Sequence, residues 1–233
     1  MKHFVWLLAS GMTCFLPTVS ADAAQAQATL LMWEEQEAGV APYSSRMLVT
    51  ENYLRSDDGH DDGDFILFDR QTQRIYSVSH EQRSVLVIEA SQPPEMVPLQ
   101  PPLQDSLQPD PEAPKIAGQS ASHFQLSSGD QVCLQATVVP GLMPDVVAAL
   151  REMQAVLAAR QYRDLDKTPE DYRTPCFMAN YIYAIDRHLQ AGFPVLELRQ
   201  DGWQRALLDF HSDQPVAAEL FSVPKGYSEE RLQ

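Results

Sequence analysis

The feature that most restricts this chain is a series of short apolar segments spaced so closely that little more than turns fits between them. They fall at residues 30–33, 46–49, 53–55, 65–68, 74–78 and 84–88. Each is rich in aromatic or β-branched residues. Polar breaks such as Thr50-Glu51-Asn52 separate them. Such segments read as β-strands. Parallel neighbours need a crossover of a dozen or more residues, usually a helix. These connections are too short to carry one, so the pattern predicts an antiparallel meander.

Residues 91–114 break the pattern. Pro93, Pro94, Pro98, Pro101, Pro102, Pro109, Pro111 and Pro114 crowd a stretch with few aromatics. That composition predicts extended chain with few backbone hydrogen bonds, either an excursion between strands or a linker. Strands resume at residues 123–126 and 132–138. In the second of these, Val132, Leu134, Ala136 and Val138 alternate with Cys133, Gln135 and Thr137. The alternation predicts a half-buried strand with Cys133 on the face opposite the apolar set.

Two helices are expected next. Pro144 and Asp145 suit a first turn, and Val146, Val147, Leu150, Met153, Val156 and Leu157 recur at helical spacing. Thr174 caps a second helix that opens with Pro175. Met178, Ile182, Ile185 and Leu189 are its stripe, and Gly192 and Pro194 are its stop. Two further strands, at residues 195–199 and 203–210, flank the hairpin signal Asp201-Gly202. A short segment near Ala217 to Phe221 leads into a charged tail.

The other end of the chain carries an address. Lys2, an apolar run from Phe4 to Leu16, and Ala21-Asp22-Ala23 before Ala24 read as a secretory signal peptide over residues 1–23. The short leader and simple cleavage site suit a bacterium, hence the periplasm. Cys14 falls inside the leader. Gly11-Met12-Thr13 before it lacks the leucine expected three places ahead of a bacterial lipoprotein cysteine. The apolar run is short for a bilayer span, and no later segment is long enough. No stable membrane span is therefore expected after cleavage.

In an oxidising compartment the remaining pair, Cys133 and Cys176, reads as a disulfide. A closed loop of about 43 residues corresponds to about 3–4 kcal/mol in the chain-entropy view. A reactive or metal-binding thiol pair is the other reading. It lacks a CxxC motif and a histidine close in sequence. The formal net charge of -15 disfavours nucleic acid and anionic lipid surfaces as partners.

The sharpest local motif is the acidic stretch at residues 57–64. Asp58, His60, Asp62, Gly63 and Asp69 fall at positions 1, 3, 5, 6 and 12 of a calcium loop. Histidine at the third position and aspartate at the twelfth depart from that pattern, and the flanks read as strands. A solvated hairpin loop is the competing reading. Calcium is the candidate cofactor on the first reading and there is none on the second. Six histidines occur without zinc-site spacing, and no nucleophile elbow, dinucleotide fingerprint or phosphate loop occurs. No catalytic residues are assigned, and the sequence argues against an enzyme without excluding one.

The expected helices invite two readings. One is ordinary packing on a sheet. The other is a cavity for an apolar ligand lined by Val147, Leu150, Met153, Phe177, Tyr181, Ile182 and Ile185.

The order of elements resembles the LolA/LolB-like superfamily of lipoprotein carriers. Two pieces also look similar to an uncharacterised group of secreted bacterial proteins with that fold. One is Tyr53-Leu54-Arg55, the acidic loop, residues 66–69 and then Arg74-Ile75-Tyr76-Ser77-Val78. The other is Leu220-Phe221-Ser222-Val223-Pro224-Lys225-Gly226-Tyr227. The resemblance implies an α+β fold, an incomplete antiparallel β-barrel with two main helices packed on its concave face, in one domain over residues 24–233. It further implies a non-enzymatic binder of a lipid, an acyl chain or a lipidated protein. The proline-rich excursion and the cysteine pair have no counterpart in the carriers. Two other functions remain open: an envelope structural or regulatory interaction module, and a calcium-binding domain or metal-dependent enzyme built on the Asp-rich loop. Oligomeric state is not legible in the sequence.

Overall fold

A computed structural model of the chain describes residues 24–95 and 97–232. The expected leader lies outside the described residues. The remainder is mixed α+β: an open, curved twelve-stranded sheet with few helices. In chain order the strands are β1 (Gln25–Gln36), β2 (Tyr43–Val49), β3 (Tyr53–Asp57), β4 (Phe65–Asp69), β5 (Arg74–Ser79) and β6 (Ser84–Glu89). Then come β7 (Leu103–Pro109), β8 (Ser122–Ser128), β9 (Gln131–Val139), β10 (Phe193–Arg199), β11 (Gln204–Ala217) and β12 (Ser228–Leu232). Their order across the sheet is β12-β6-β5-β4-β3-β2-β1-β11-β10-β9-β8-β7. Among the described residues only β12, against β6, pairs in parallel.

Alternation along the strands buries both faces of the β1–β6 half. Leu31, Trp33, Met47, Val49, Leu54, Phe68 and Ile75 pack beneath the long helix α1 (Pro144–Arg163), whose Val146, Ala149, Leu150 and Val156 face them. On the opposite face, Leu48, Phe65, Leu67, Val85 and Val87 pack against Leu220 and Phe221 of a 3₁₀ turn, Ala218–Phe221. Arg70 fastens α1 to the β4–β5 turn: its Nε and Nη2 donate to the Glu152 carboxylate at 2.7 and 2.9 Å.

Curvature is visible in which residues meet. Ile88 of β6 and Glu197 of β10 line one cleft, although seven strand steps separate them in the sheet order. A flat sheet at 4.7–4.9 Å per strand would hold them roughly 33 Å apart.

The structure corrects four expectations. Residues 103–109 of the proline-rich excursion form the edge strand β7, paired with β8 from Leu103↔Ser128 to Pro109↔Ser122. Proline is tolerated at an edge because its missing N–H can face away from the ladder. The charged tail forms β12, although its Ser-Glu-Glu-Arg-Leu sequence carries little strand preference; the open edge of β6 supplies the pairing. Cys133 is not on the face opposite the apolar set. Leu126 pairs with Leu134 and Ser127 with Val132, so Cys133 is the extra residue of a β-bulge. It is fully buried beside Leu134, Cys176 and Ala179, while Val132 is exposed.

The fourth correction is the second helix, which is broken. Thr174 caps it as expected, its Oγ1 accepting from the Phe177 N–H at 3.2 Å. But α2 (Pro175–Met178) gives way to a π-helical turn, Ala179–Tyr183, and helix resumes only at α3 (Arg187–Ala191). Two ties to β9 lie at its start. Cys133 and Cys176 form a disulfide with a Cα–Cα distance of 4.9 Å, and the Asn180 side-chain amide donates to the Cys133 carbonyl at 2.9 Å. The Tyr181-Ile182-Tyr183 run, two aromatic residues and a β-branched one that all lose χ1 freedom in a helix, does little to hold a regular helix against them. At the other end Gly192 has no room for a side chain: a Cβ there would lie 2.7–2.8 Å from the Val139–Pro140 backbone.

Candidate functional site

The break in the second helix opens a cleft of about 410 Å3 between helix and sheet. Helix α1 contributes Met153, Gln154 and Leu157 to one wall. The π turn and the residues after it contribute Asn180, Tyr181, Ile185 and His188. Strands β10 and β11 and their hairpin supply the floor: Glu197, Arg199, Trp203 and Arg205. Ile88 and Leu134 complete the apolar side. A π turn inserted in a helix is frequent at functional sites, because it re-aims side chains. Here it brings Asn180 and Tyr181 to the cleft.

The floor is charged and buried. Glu197 is 3% exposed. Its Oε2 accepts from Arg205 Nε at 2.9 Å and Nη2 at 2.5 Å, and its Oε1 lies 2.9 Å from His188 Nε2. Burial pushes the Glu197 carboxyl up, but the Arg205 charge and His188 outweigh it and hold the pKa below the usual carboxylate range. Above this pair runs a ladder of guanidinium and aromatic groups. Arg199 Cζ lies 5.1 Å from the Tyr181 ring centroid and 4.0 Å from that of Trp203. Arg205 Cζ lies 5.5 Å from Trp203 and 4.4 Å from Trp33. Desolvated cation–π contacts reach about 2 kcal/mol each, so the ladder stiffens the floor. The Tyr181 hydroxyl donates to Asp201 Oδ2 at 2.7 Å. Burial first, and this bond second, push its pKa up to about 12.

Of the seven residues expected to line a cavity, Met153, Tyr181 and Ile185 do line it. Leu150 is instead packed in the core under α1, with Val147 against the same cluster. Ile182 is buried. Phe177 lines a smaller neighbouring hollow of about 220 Å3, shared with Asn180 and Tyr181. Sequence reading missed the floor entirely. Its one available signal was charged or aromatic residues at alternate positions, Glu197 with Arg199 and Trp203 with Arg205, on strands that otherwise read as amphipathic.

The acidic stretch is a loop between paired strands, with Asp57 opposite Phe65. Asp58 Oδ1 accepts from the His60 N–H at 3.0 Å. Asp62 is exposed. Asp69 stands at the far end of β4, where its Oδ1 accepts from the N–H groups of Gln71 and Thr72. Strand rise puts Asp69 about 13 Å beyond Phe65, so it is not brought to the loop that holds Asp58, His60 and Asp62. Among the described residues no group of three or more His, Cys, Asp or Glu side chains is gathered as a metal site. Among the same residues no helix is long and apolar enough to cross a membrane.

No protein-family model matches the chain, and no curated protein matches it. Similar solved structures include an uncharacterised conserved protein from Thermus thermophilus, 10% identical, covering 89% of this chain and 91% of that one at a TM-score of 0.43. Two structures of PNGF-II, each 8% identical, cover 89% of this chain at TM-scores of 0.40 and 0.41. This chain spans about a third of PNGF-II, 31% and 32% in the two structures. Likenesses at this level transfer neither a family nor an activity.

Proposed function

We propose that this is a periplasmic, non-enzymatic binding protein, a half-barrel whose helices lie on the concave face and whose cleft takes a hydrophobic ligand. The ligand class is a lipid, an acyl chain or a lipidated protein. The observation that carries the reading is the cleft itself. Its volume of about 410 Å3 falls in the range of small-molecule sites, roughly 300–1,000 Å3. Ile88, Leu134, Met153, Leu157 and Ile185 form an apolar wall facing a few buried polar groups. Support for a binding role over a catalytic one comes from Glu197. A carboxylate held below its usual range by Arg205 and His188 is a poor general acid or base near neutral pH. The Cys133–Cys176 bridge suits an oxidising compartment, as does the leader expected from the sequence.

Mass spectrometry of small molecules that co-purify with the protein from its native envelope tests this reading. An acyl-bearing species released in stoichiometric amount is the expected result. Protein that carries no such species, and that fails to bind a fluorescent fatty-acyl probe, overturns it.

A further inference from the structure

The polar groups of the cleft are left without partners to an unusual degree. With His188 Nε2 set against Glu197 Oε1 at 2.9 Å, six other buried side-chain nitrogen or oxygen atoms among the described residues make no hydrogen bond, and four of them belong to Gln154, Asn180, His188 and Arg199. All four residues line the cleft. Asn180 and His188 are more than nine-tenths buried. An unpaired polar atom out of reach of water is destabilising, so native proteins keep few of them. Four such residues around one cavity are the imprint of something that fits there. We infer that the cleft is built for a ligand whose polar end is an uncharged group carrying both a hydrogen-bond donor and an acceptor, a hydroxyl or a carboxamide. The inference rests on the binding reading above and specifies the other end of its ligand.

The chemistry follows from which atoms are open. The Asn180 amide is oriented by its Nδ2, which donates to the Cys133 carbonyl. Its Oδ1 is therefore an acceptor that awaits a donor, and Gln154 Oε1 is a second. Arg199 Nε awaits an acceptor. Its nearest carboxylate, Asp201, stands 3.7 Å away and is already engaged by the Tyr181 hydroxyl and the Trp203 N–H. His188 Nε2 faces Glu197, which leaves Nδ1 open. An anion brings no donor for Asn180 or Gln154 and meets the Glu197 carboxylate. A cation meets the guanidinium groups of Arg160, Arg199 and Arg205, which line the same cleft. A neutral hydroxyl or amide group answers acceptors and donor together, while its apolar remainder lies along Ile88, Met153, Leu157 and Ile185.

Four ten-carbon probes that differ only in the polar end test this: monodecanoylglycerol, decanamide, decanoate and decylamine. Each is titrated into the purified protein and followed by calorimetry and by tryptophan emission, since Trp203 stands on the cleft floor. The two neutral probes are expected to bind at least about tenfold more tightly than the two charged ones, the effect of one satisfied polar group. Gln154→Leu, and separately Arg199→Met, should weaken the neutral probes about tenfold and bring the four affinities together. The second variant keeps the test open should the first fail to fold. Decanoate or decylamine binding as tightly as the neutral probes overturns the inference and leaves the apolar cleft standing. So do unchanged neutral-probe affinities in both folded variants. Failure of all four probes removes the binding reading and this inference with it.

Discussion

Two buried charged clusters stand on this sheet, and they are finished to different degrees. In the β2–β4 region Asp57 lies between Arg46 and Arg55. Arg46 donates to both of its oxygens, at 2.8 and 2.9 Å, and Arg55 Nε donates at 2.6 Å. The Gly59 N–H adds a fourth bond at 3.0 Å. The remaining Arg55 nitrogens reach the carbonyls of Leu220 and Asp61, and its guanidinium lies 3.9 Å from the Phe65 ring centroid. This cluster joins the acidic loop to the C-terminal 3₁₀ turn and leaves none of these groups idle. The Glu197 cluster in the cleft is also paired, but beside it Gln154, Asn180 and Arg199 each keep one buried polar atom without a partner. A closed network has stability as its sufficient explanation. A paired centre ringed by unpartnered groups beside a cavity is short of one component, and that difference separates the scaffold from the site.

The comparison can be broken at several points. Asp57→Ala removes the carboxylate shared by two guanidinium groups, the only one paired with the buried Arg55 among the described residues, and should lower stability by about 3–5 kcal/mol in urea unfolding. A loss under about 1 kcal/mol would remove the Asp57 cluster from the scaffold. Reducing the Cys133–Cys176 bridge, or replacing both cysteines by alanine, should lower stability by about 3–4 kcal/mol. It should also loosen Asn180, so probe binding in the cleft weakens while the Asp57 region keeps its hydrogen-exchange protection.

Gln154→Leu acts with the opposite sign. Exchanging an unpartnered buried acceptor for an apolar group should raise the stability of the empty protein by about 1 kcal/mol, read as a higher midpoint of unfolding. A clear drop would mean that Gln154 already has its partner and that the contrast between the clusters is false.

The pH dependence is the smallest effect. Asp57 and Glu197 both have folded pKa values lowered from 3.8 and 4.5. In each, burial opposes the shift and the hydrogen-bonded partners override it, Arg46 and Arg55 at Asp57, Arg205 and His188 at Glu197. Such a carboxyl stabilises the fold fully above its unfolded value and loses that contribution as pH falls through the lowered folded value. Stability should therefore decline from about pH 4.5 downward, and Asp57→Asn should flatten that decline. A denaturation series at descending pH in which the variant keeps the full slope would place the acid sensitivity elsewhere.

Much of the frame was legible because strands and turns obey local rules. The segments at residues 30–33, 53–55, 65–68 and 84–88 lie inside β1, β3, β4 and β6. The Asp201-Gly202 signal makes its hairpin, with the Arg199 N–H bonded to the Trp203 carbonyl at 2.8 Å. The Thr174 cap and the Pro144 start are where short-range chemistry puts them. Lining residues were legible in part. Periodicity found Met153 and Ile185, and aromatic surface on the second helix found Tyr181, but periodicity treats an apolar position in a cleft and one in a core alike, so Leu150 was counted with them.

By itself, then, the sequence determined an antiparallel succession of strands, a capped helical segment and a cysteine pair suited to a bridge. Each depends on neighbours within a few residues or on a single pairing. The tertiary structure alone decided the rest. It made a strand of Leu103–Pro109 and another of Ser228–Leu232 because open sheet edges accept weak strand formers. It broke the second helix, where Cys176 and Asn180 are tied to a bulged Cys133. And it set Glu197, His188 and Arg205 against Asn180 and Gln154 in one cleft. Only the curvature of the sheet brings such residues within reach of one another, and curvature accumulates from small twists along many strands that no local pattern records.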